Sequence, residues 1–409
     1  RLGSYVVLPG IDSAALEAVN ANSGSGGLTG LIDIFAGGAF SRASIFALGI
    51  MPYISASIVI QLLGMAIPYF QRLQKEGESG RRKINQITRV LTIAITGFQA
   101  PGYIASQITS NPGVVMDPGP LWWFSTVLLL TTGTIFVMWI GERITEKGIG
   151  NGISLLIMIG IIAGLPSAFV FEIGSRLGIG GTGGIIVLLI EIALLLIVII
   201  VSILLVQGTR RIPVQYGRSS FRGGRMYRQQ GTSYLPLRVN SAGMIPLIFA
   251  FSIMILPATL ASFFADPTSE SIGGKIANFF TVTFSPDTAW YWLFVFILVV
   301  AFTFFYTMIM FQQQNLPATL QRNGGFIPGI RPGKPTGDYL NRLIIRITWG
   351  GAIFLGLIAV MPYFATLITD IKAIQLSSAS LLIVVGVALD TLRQLESQLL
   401  MRNYEGFMN

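Results

Sequence analysis

Arginine supplies the most concentrated chemistry in this chain. Arg210, Arg211, Arg218, Arg222, Arg225 and Arg228 fall within residues 207–238, a stretch with seven Arg and no acid. That is more positive charge than a short loop beside a membrane needs, and guanidinium groups make charge-assisted contacts with anionic partners. The groups that most often make and break bonds are missing. The chain has no His and no Cys, which removes the commonest general base, the commonest metal ligand and every thiolate site. An enzyme would have to work with carboxylates alone. Two acids sit inside apolar runs, Glu191 and Asp390, each near one end, where snorkelling to the interface accounts for them better than a proton relay. No catalytic constellation emerges.

The elements that must position these residues are membrane spans. The 409 residues are 52% hydrophobic and 11% charged, against about 25% charged in a soluble domain; mean hydropathy is +0.70. Long apolar runs with little period-two alternation favour helices over a barrel. The expected spans cover residues 44–65, 90–106, 121–140, 153–168, 185–206, 239–264, 290–311, 344–364 and 377–392. Residues 1–8 read as the outer end of a first helix, which makes ten. Pro101-Gly102 and Pro166 are expected to interrupt their helices, and residues 71–89, 207–238 and 312–341 read as polar loops. Of 27 Lys and Arg, all but Arg1, Arg42, Arg176, Lys275 and Lys372 lie in or beside the loops after spans two, four, six and eight or in the tail. The positive-inside rule therefore places both termini on the cytoplasmic side.

The organising stretch is residues 29–65. A glycine-broken amphipathic piece runs without a loop into span two, where Ile50 and Ile54 lie four apart on one helical face. Its core, Gly49-Ile50-Met51-Pro52-Tyr53-Ile54-Ser55-Ala56, is echoed by Gly243-Met244-Ile245-Pro246-Leu247-Ile248-Phe249-Ala250. The copies sit on spans two and seven, five apart, so they cross the membrane in opposite directions. That is the mark of an inverted repeat, with two five-helix halves, residues 1–173 and 174–409, related by a pseudo-two-fold axis in the membrane plane.

Five separated motifs carry a resemblance to a known family: GGAFSRASIFALGIMPYISASIVIQLL, KEGESGRRKINQITR, GERITEKGIGNGIS, LPLRVNSAGMIP and FIPGIRPGKPT. Nearly the whole chain resembles the SecY family, the central subunits of the bacterial and plastid-type protein-conducting channel. The resemblance implies an all-α clamshell of ten transmembrane helices that passes unfolded polypeptides. It implies a pore ring of Ile50, Ile54, Ile153, Ile157, Ile248 and Ile383, whose apolar side chains seal by dewetting. It implies a plug over residues 31–44, including Leu31, Ile32, Ile34, Phe35, Gly37, Gly38, Ser41 and Arg42, with the two glycines bending into span two and Arg42 solvated in the outer funnel. A lateral gate for hydrophobic segments lies between spans two and three on one side and seven and eight on the other, with Pro52, Ser55, Pro246 and Leu256. Pro52, Pro246 and Pro257 serve there as bending points.

By the same resemblance, the six arginines named first, with Arg331 on a Pro/Gly-stiffened tip at residues 326–333, dock the ribosome or the SecA motor. SecE-like and SecG-like small subunits, signal peptides, nascent chains and membrane lipid complete the partners; no cofactor is implied. The setting is a plasma or thylakoid membrane, with termini cytoplasmic or stromal. Residues 312–317, QQQNLP, depart from the Asn-Pro and acidic residues that many members carry there. A secondary transporter shares the inverted symmetry but requires polar ligands near the midplane, where this chain places isoleucines.

Overall fold

The computed structural model describes residues 2–13, 15–16, 33, 36–109, 113–115, 118–178, 182–222, 225–262, 279, 283–284, 288–314, 316–369 and 372–405. After a 3-10 turn, Leu2–Tyr5, the chain builds α1 (Met51–Ala66), α2 (Pro68–Lys75), α3 (Glu78–Tyr103), α4 (Pro120–Lys147), α5 (Gly152–Gly178) and α6 (Thr182–Gln207). Strands β1 (Thr209–Arg222) and β2 (Arg225–Arg238) precede α7 (Ile245–Ser262), α8 (Ala289–Gln314) and α9 (Leu316–Arg322). Strand β3 (Gly325–Phe326) leads to α10 (Lys334–Thr369) and α11 (Lys372–Glu405). Each expected span from the second to the tenth coincides with a helix: α1, α3, α4, α5, α6, α7, α8, α10 and α11. Among the described residues, α4, the α8–α9 run and α10 are long and apolar enough to cross a membrane, and the bent pair α1–α2 makes a fourth.

Local sequence explains the boundaries. Ile67 precedes Pro68, and the proline ring forces it to φ −109°, ψ 122°, which stops α1. Pro68 then begins α2, where its missing N–H costs nothing, and the two helices meet at 101°. The polar loop expected at residues 71–89 is thus mostly helix, and α3 starts at Glu78. Thr88, Thr92, Thr96 and Ala100 recur every fourth residue on its buried face. The three hydroxyls donate to the carbonyls of Ile84, Thr88 and Thr92 at 2.9, 2.7 and 2.7 Å, so burying them leaves none unpaired. Pro101 and Pro166 lie inside α3 and α5 rather than ending them; a π-helical turn, Ile104–Thr109, comes after Pro101.

Within each part of the chain, neighbours in sequence are neighbours in space. Helix α1 packs on α3, α3 on α4, and α4 on α5; α7 packs on α8, α8 on α10, and α10 on α11. The two groups meet where α1 and α3 touch α7 and where α5 touches α11. One large apolar core runs through both groups. The KEGESGRRKINQITR and GERITEKGIGNG motifs are joined by a bidentate ion pair, Arg89 Nε to Glu142 Oε1 at 3.1 Å and Nη2 to Oε2 at 2.5 Å.

The fold is mostly helical but not all-α. Within the stretch 207–238, β1 and β2 pair antiparallel along their whole length, and β3 adds to them in the order β2-β1-β3. Gln215 pairs with Phe326 and Tyr216 with Gly325. Ile212, Val214 and Leu237 share a second core with Leu320, Ile327, Leu340, Leu343 and Ile344. The two basic loops are therefore one body, fused through a sheet and a core that also includes the start of α10.

Candidate functional site

The six isoleucines are positioned mostly by helix starts. Gly49, at φ +53°, turns the chain so that Ile50 caps α1 and Ile54 closes its first turn, its N–H donating to Ile50 O at 3.1 Å. Gly243, at φ +64°, does the same before α7, where the Ile248 N–H donates to Met244 O at 3.2 Å. A positive φ is nearly free for glycine and costly for a residue with a Cβ. The sequence echo is thus a structural echo, with a left-handed glycine three residues before a first-turn proline. In both copies the proline begins a helix instead of bending one, which corrects the expectation for Pro52 and Pro246; Pro257 lies inside α7. On α5, Asn151 Oδ1 accepts from the N–H groups of Ile153 and Ser154 at 3.1 and 3.4 Å, an N-cap that fixes where Ile153 and Ile157 begin.

Ile50, Ile54, Ile157, Ile248 and Ile383 are 0 to 5% exposed and belong to one apolar cluster, against which the half-buried Ile153 packs. Ile383, from the interior of α11, lies near the point where that helix comes close to the start of α7; a Cβ on Gly386 would overlap Met244. Ser55 is buried on α1. The side chain of Leu256 lies outside the described residues.

The segment leading into α1 is partly described. Leu31, Ile32, Ile34 and Phe35 lie outside the described residues. Asp33 anchors the turn at residues 38–41: its Oδ1 and Oδ2 accept from the Ser41 N–H at 2.9 Å and the Ser41 hydroxyl at 2.8 Å. Gly38 N–H donates to Asp33 O at 2.9 Å. Residues 2–12 lie along the segment, Leu8 N–H donating to Ala43 O and Ile45 N–H to Val6 O, both at 3.0 Å. Arg42 is half-buried rather than solvated. Its guanidinium stacks over the Tyr5 ring at 4.5 Å, and Nη1 is buried without a hydrogen-bond partner among the described residues. A cavity of about 130 Å³ separates this segment from the bundle; it is lined by Ala36, Gly37, Gly49 and Ile50 on one side and Val137, Ile140, Leu156, Ile157 and Gly160 on the other.

Tyr103, absent from the residues expected to matter, closes the site from α3. Its hydroxyl donates to Phe40 O at 2.7 Å, and its ring meets Phe40 edge-on at 4.8 Å between centroids. Nothing in the PGY triplet around it signals that contact. Replacing Tyr103 by Phe removes this bond and leaves the Phe40 carbonyl with only the longer one from the Ala43 N–H at 3.3 Å, at a cost of about 0.5–1.5 kcal/mol. The expected result is a lower thermal unfolding midpoint in detergent, with the helical content of the folded protein unchanged.

Of the basic residues, Arg210, Arg211 and Arg331 are exposed. Pairing places Arg222 opposite Arg225, Arg218 opposite Gln229 and Arg228 opposite Ser219; the side chains of these four arginines lie outside the described residues. Asp390 lies against Gly243, on which a Cβ would stand 3.2 Å from Oδ2. One turn on, Arg393 donates to Val206 O at 2.8 Å.

Comparison with known proteins agrees at every level. A family model for SecY matches residues 44–392. The protein translocase subunit SecY of Thermus thermophilus is 42% identical over 417 residues, covering 100% of this chain and 92% of that protein. The subunit of the same name from Synechococcus elongatus is 43% identical over 417 residues, covering 100% and 91%. A solved structure described as "The structure of a protein conducting channel" aligns with a TM-score of 0.59 at 17% identity, covering 90% of this chain and 84% of that one. Sec61 in the canine ribosome-channel complex from the endoplasmic reticulum aligns with a TM-score of 0.54 at 17% identity, covering 87% and 82%. At those identities the structural likeness speaks for the fold.

Proposed function

This chain belongs to the SecY family, and from that membership we propose that it is the membrane subunit through which unfolded polypeptides cross, with Ile50, Ile54, Ile153, Ile157, Ile248 and Ile383 as the seal. The observation that supports the reading is the burial of five of these six, from four separate helices, in the apolar core, with Ile153 packed against it. A constriction of methyl groups cannot support a water column, yet branched side chains yield around a passing chain. The conduit performs no bond chemistry of its own.

Around that seal, residues 31–44 act as the plug. Residues 1–173 and 174–409 form the two halves of an inverted repeat, a reading supported by the matched glycine-proline starts of α1 and α7. The lateral gate lies where α1 and α3 meet α7 and α8, with Pro52, Ser55, Pro246 and Leu256 along it; the packing of α1 and α3 on α7 fits a shut gate. Energy comes from partners: a SecA motor, an elongating ribosome or the membrane potential. SecE-like and SecG-like subunits clamp the bundle in a plasma or thylakoid membrane, with the sheet and both termini on the cytoplasmic or stromal side.

The absence of native cysteine makes the test clean. Single cysteines replacing Ile54 and Ile248 are expected to cross-link to a cysteine in a precursor stalled part-way through reconstituted vesicles. A cysteine replacing Ile162, which is 44% exposed on α5, is expected not to. Equal adducts at all three positions, or none while the precursor is still transported, would rule the reading out.

A further inference from the structure

Two helices approach the segment 36–50 at points where no side chain fits. Gly133 lies midway along α4, and a Cβ built on it would stand 2.2 Å from the carbonyl oxygen of Ile45 and 3.0 Å from that residue's carbonyl carbon and Cγ2. Gly37, at φ +66°, faces α5; a Cβ there would stand 3.0 Å from the Cα of Gly160 and 3.6 Å from its carbonyl carbon and oxygen. Both contacts are backbone against backbone, so neither can be relieved by a side-chain rotation. Between these contacts a cavity of about 130 Å³ lies beside the segment, against the same two helices. Ile45 is also tied on its other side, its N–H donating to Val6 O at 3.0 Å.

We propose that Gly133 and Gly160 are positioning residues: a backbone cradle on α4 and α5 that sets how close the segment 36–50 sits to the bundle, and so where it delivers Ile50 and Ile54. The inference rests on reading those isoleucines as the seal. Non-bonded heavy atoms settle at about 3.5–4.0 Å, so a methyl group on Gly133 must push the Ile45 backbone away by roughly 1 Å. Ile45 is five residues from Ile50, and the turns between them are closed by hydrogen bonds from the Ala47 N–H to Ser44 O at 3.0 Å and from the Gly49 N–H to Phe46 O at 2.9 Å. A dewetted constriction responds steeply to its radius, so a displacement of this size at Ile50 is enough to admit water.

The test uses the complete chain with its partner subunits in planar bilayers or ion-loaded vesicles. Gly133→Ala is expected to raise the ion conductance of the idle complex about tenfold while precursor transport continues. Gly164→Ala on α5, where a Cβ would meet no atom within 4 Å, is expected to leave conductance unchanged. If Gly133→Ala does not accumulate, Gly37→Ala pushes from the other contact and decides the matter, with Gly38→Ala, left-handed at φ +80° but facing only the Arg42 side chain, as the control for backbone strain. A second readout is maleimide labelling of Ala36→Cys, expected to quicken in either background; a purely structural role for the glycines would lower transport without opening the segment. Wild-type conductance and labelling in assembled Gly133→Ala and Gly37→Ala complexes would overturn the cradle. If Ile54→Ser with Ile248→Ser leaks in the same assay, the channel reading stands without it; if that pair also stays tight, the channel reading itself fails.

Discussion

Replacing Ile54 and Ile248 together by serine makes the idle complex leak ions, by about tenfold for every 1.4 kcal/mol taken off the dewetting barrier. Both side chains are almost completely buried, at 3 and 5% exposure, so the substitution exchanges methyl groups for hydroxyls in a place otherwise lined by hydrocarbon. A hydroxyl in an apolar setting looks for a hydrogen-bond partner, and water is the one available. The two positions come from α1 and α7, so the pair changes two separate helices of the proposed seal at once. Conductance across reconstituted vesicles measures it directly. Unchanged leak with a loss of small-solute uptake would instead favour a secondary transporter. A lesser leak is expected from Ile153→Ser alone, because Ile153 is only half-buried at the edge of the cluster.

The second large effect is on docking. Changing Arg210, Arg211 and Arg331 together to glutamine is expected to weaken ribosome binding on the order of 100-fold near physiological salt. The slope of log K against log salt should flatten by about 0.7–0.9 for each phosphate that is no longer neutralised. The three side chains are exposed, so the thermal unfolding midpoint should not move. Pairing of Tyr216 with Gly325 and Gln215 with Phe326 holds the two loops in one body, which presents the three charges to a single partner. Binding measured across a salt series is the check. An unchanged slope would mean that these arginines face solvent only.

Much of this is legible in one dimension. Among the described residues, nine helices lie where uninterrupted apolar runs place them, because a chain in lipid must satisfy its backbone within each segment. The glycine-proline echo is legible too, and acquires its meaning once both glycines prove left-handed and both prolines prove to begin helices. The hairpin carries mixed signals. Ile212, Val214 and Tyr216 alternate, as do Leu235 and Leu237, yet Pro213 and Pro236 argue for a loop instead of a strand. Pairing in the three-stranded sheet tolerates both. Pro101 and Pro166 look like helix breaks, but α3 continues to Tyr103 before a π-helical turn and α5 continues to Gly178.

The chain by itself determined its solvent, its helices and its family, since hydropathy and motif are properties of neighbouring residues. Tertiary structure alone decided that Tyr103 reaches the Phe40 carbonyl, that Gly133 gives way to the Ile45 backbone, and that two basic loops become one surface. Each of these joins residues tens to hundreds of positions apart through packing or pairing, and no local propensity encodes a contact between elements that are neighbours only once the bundle has assembled.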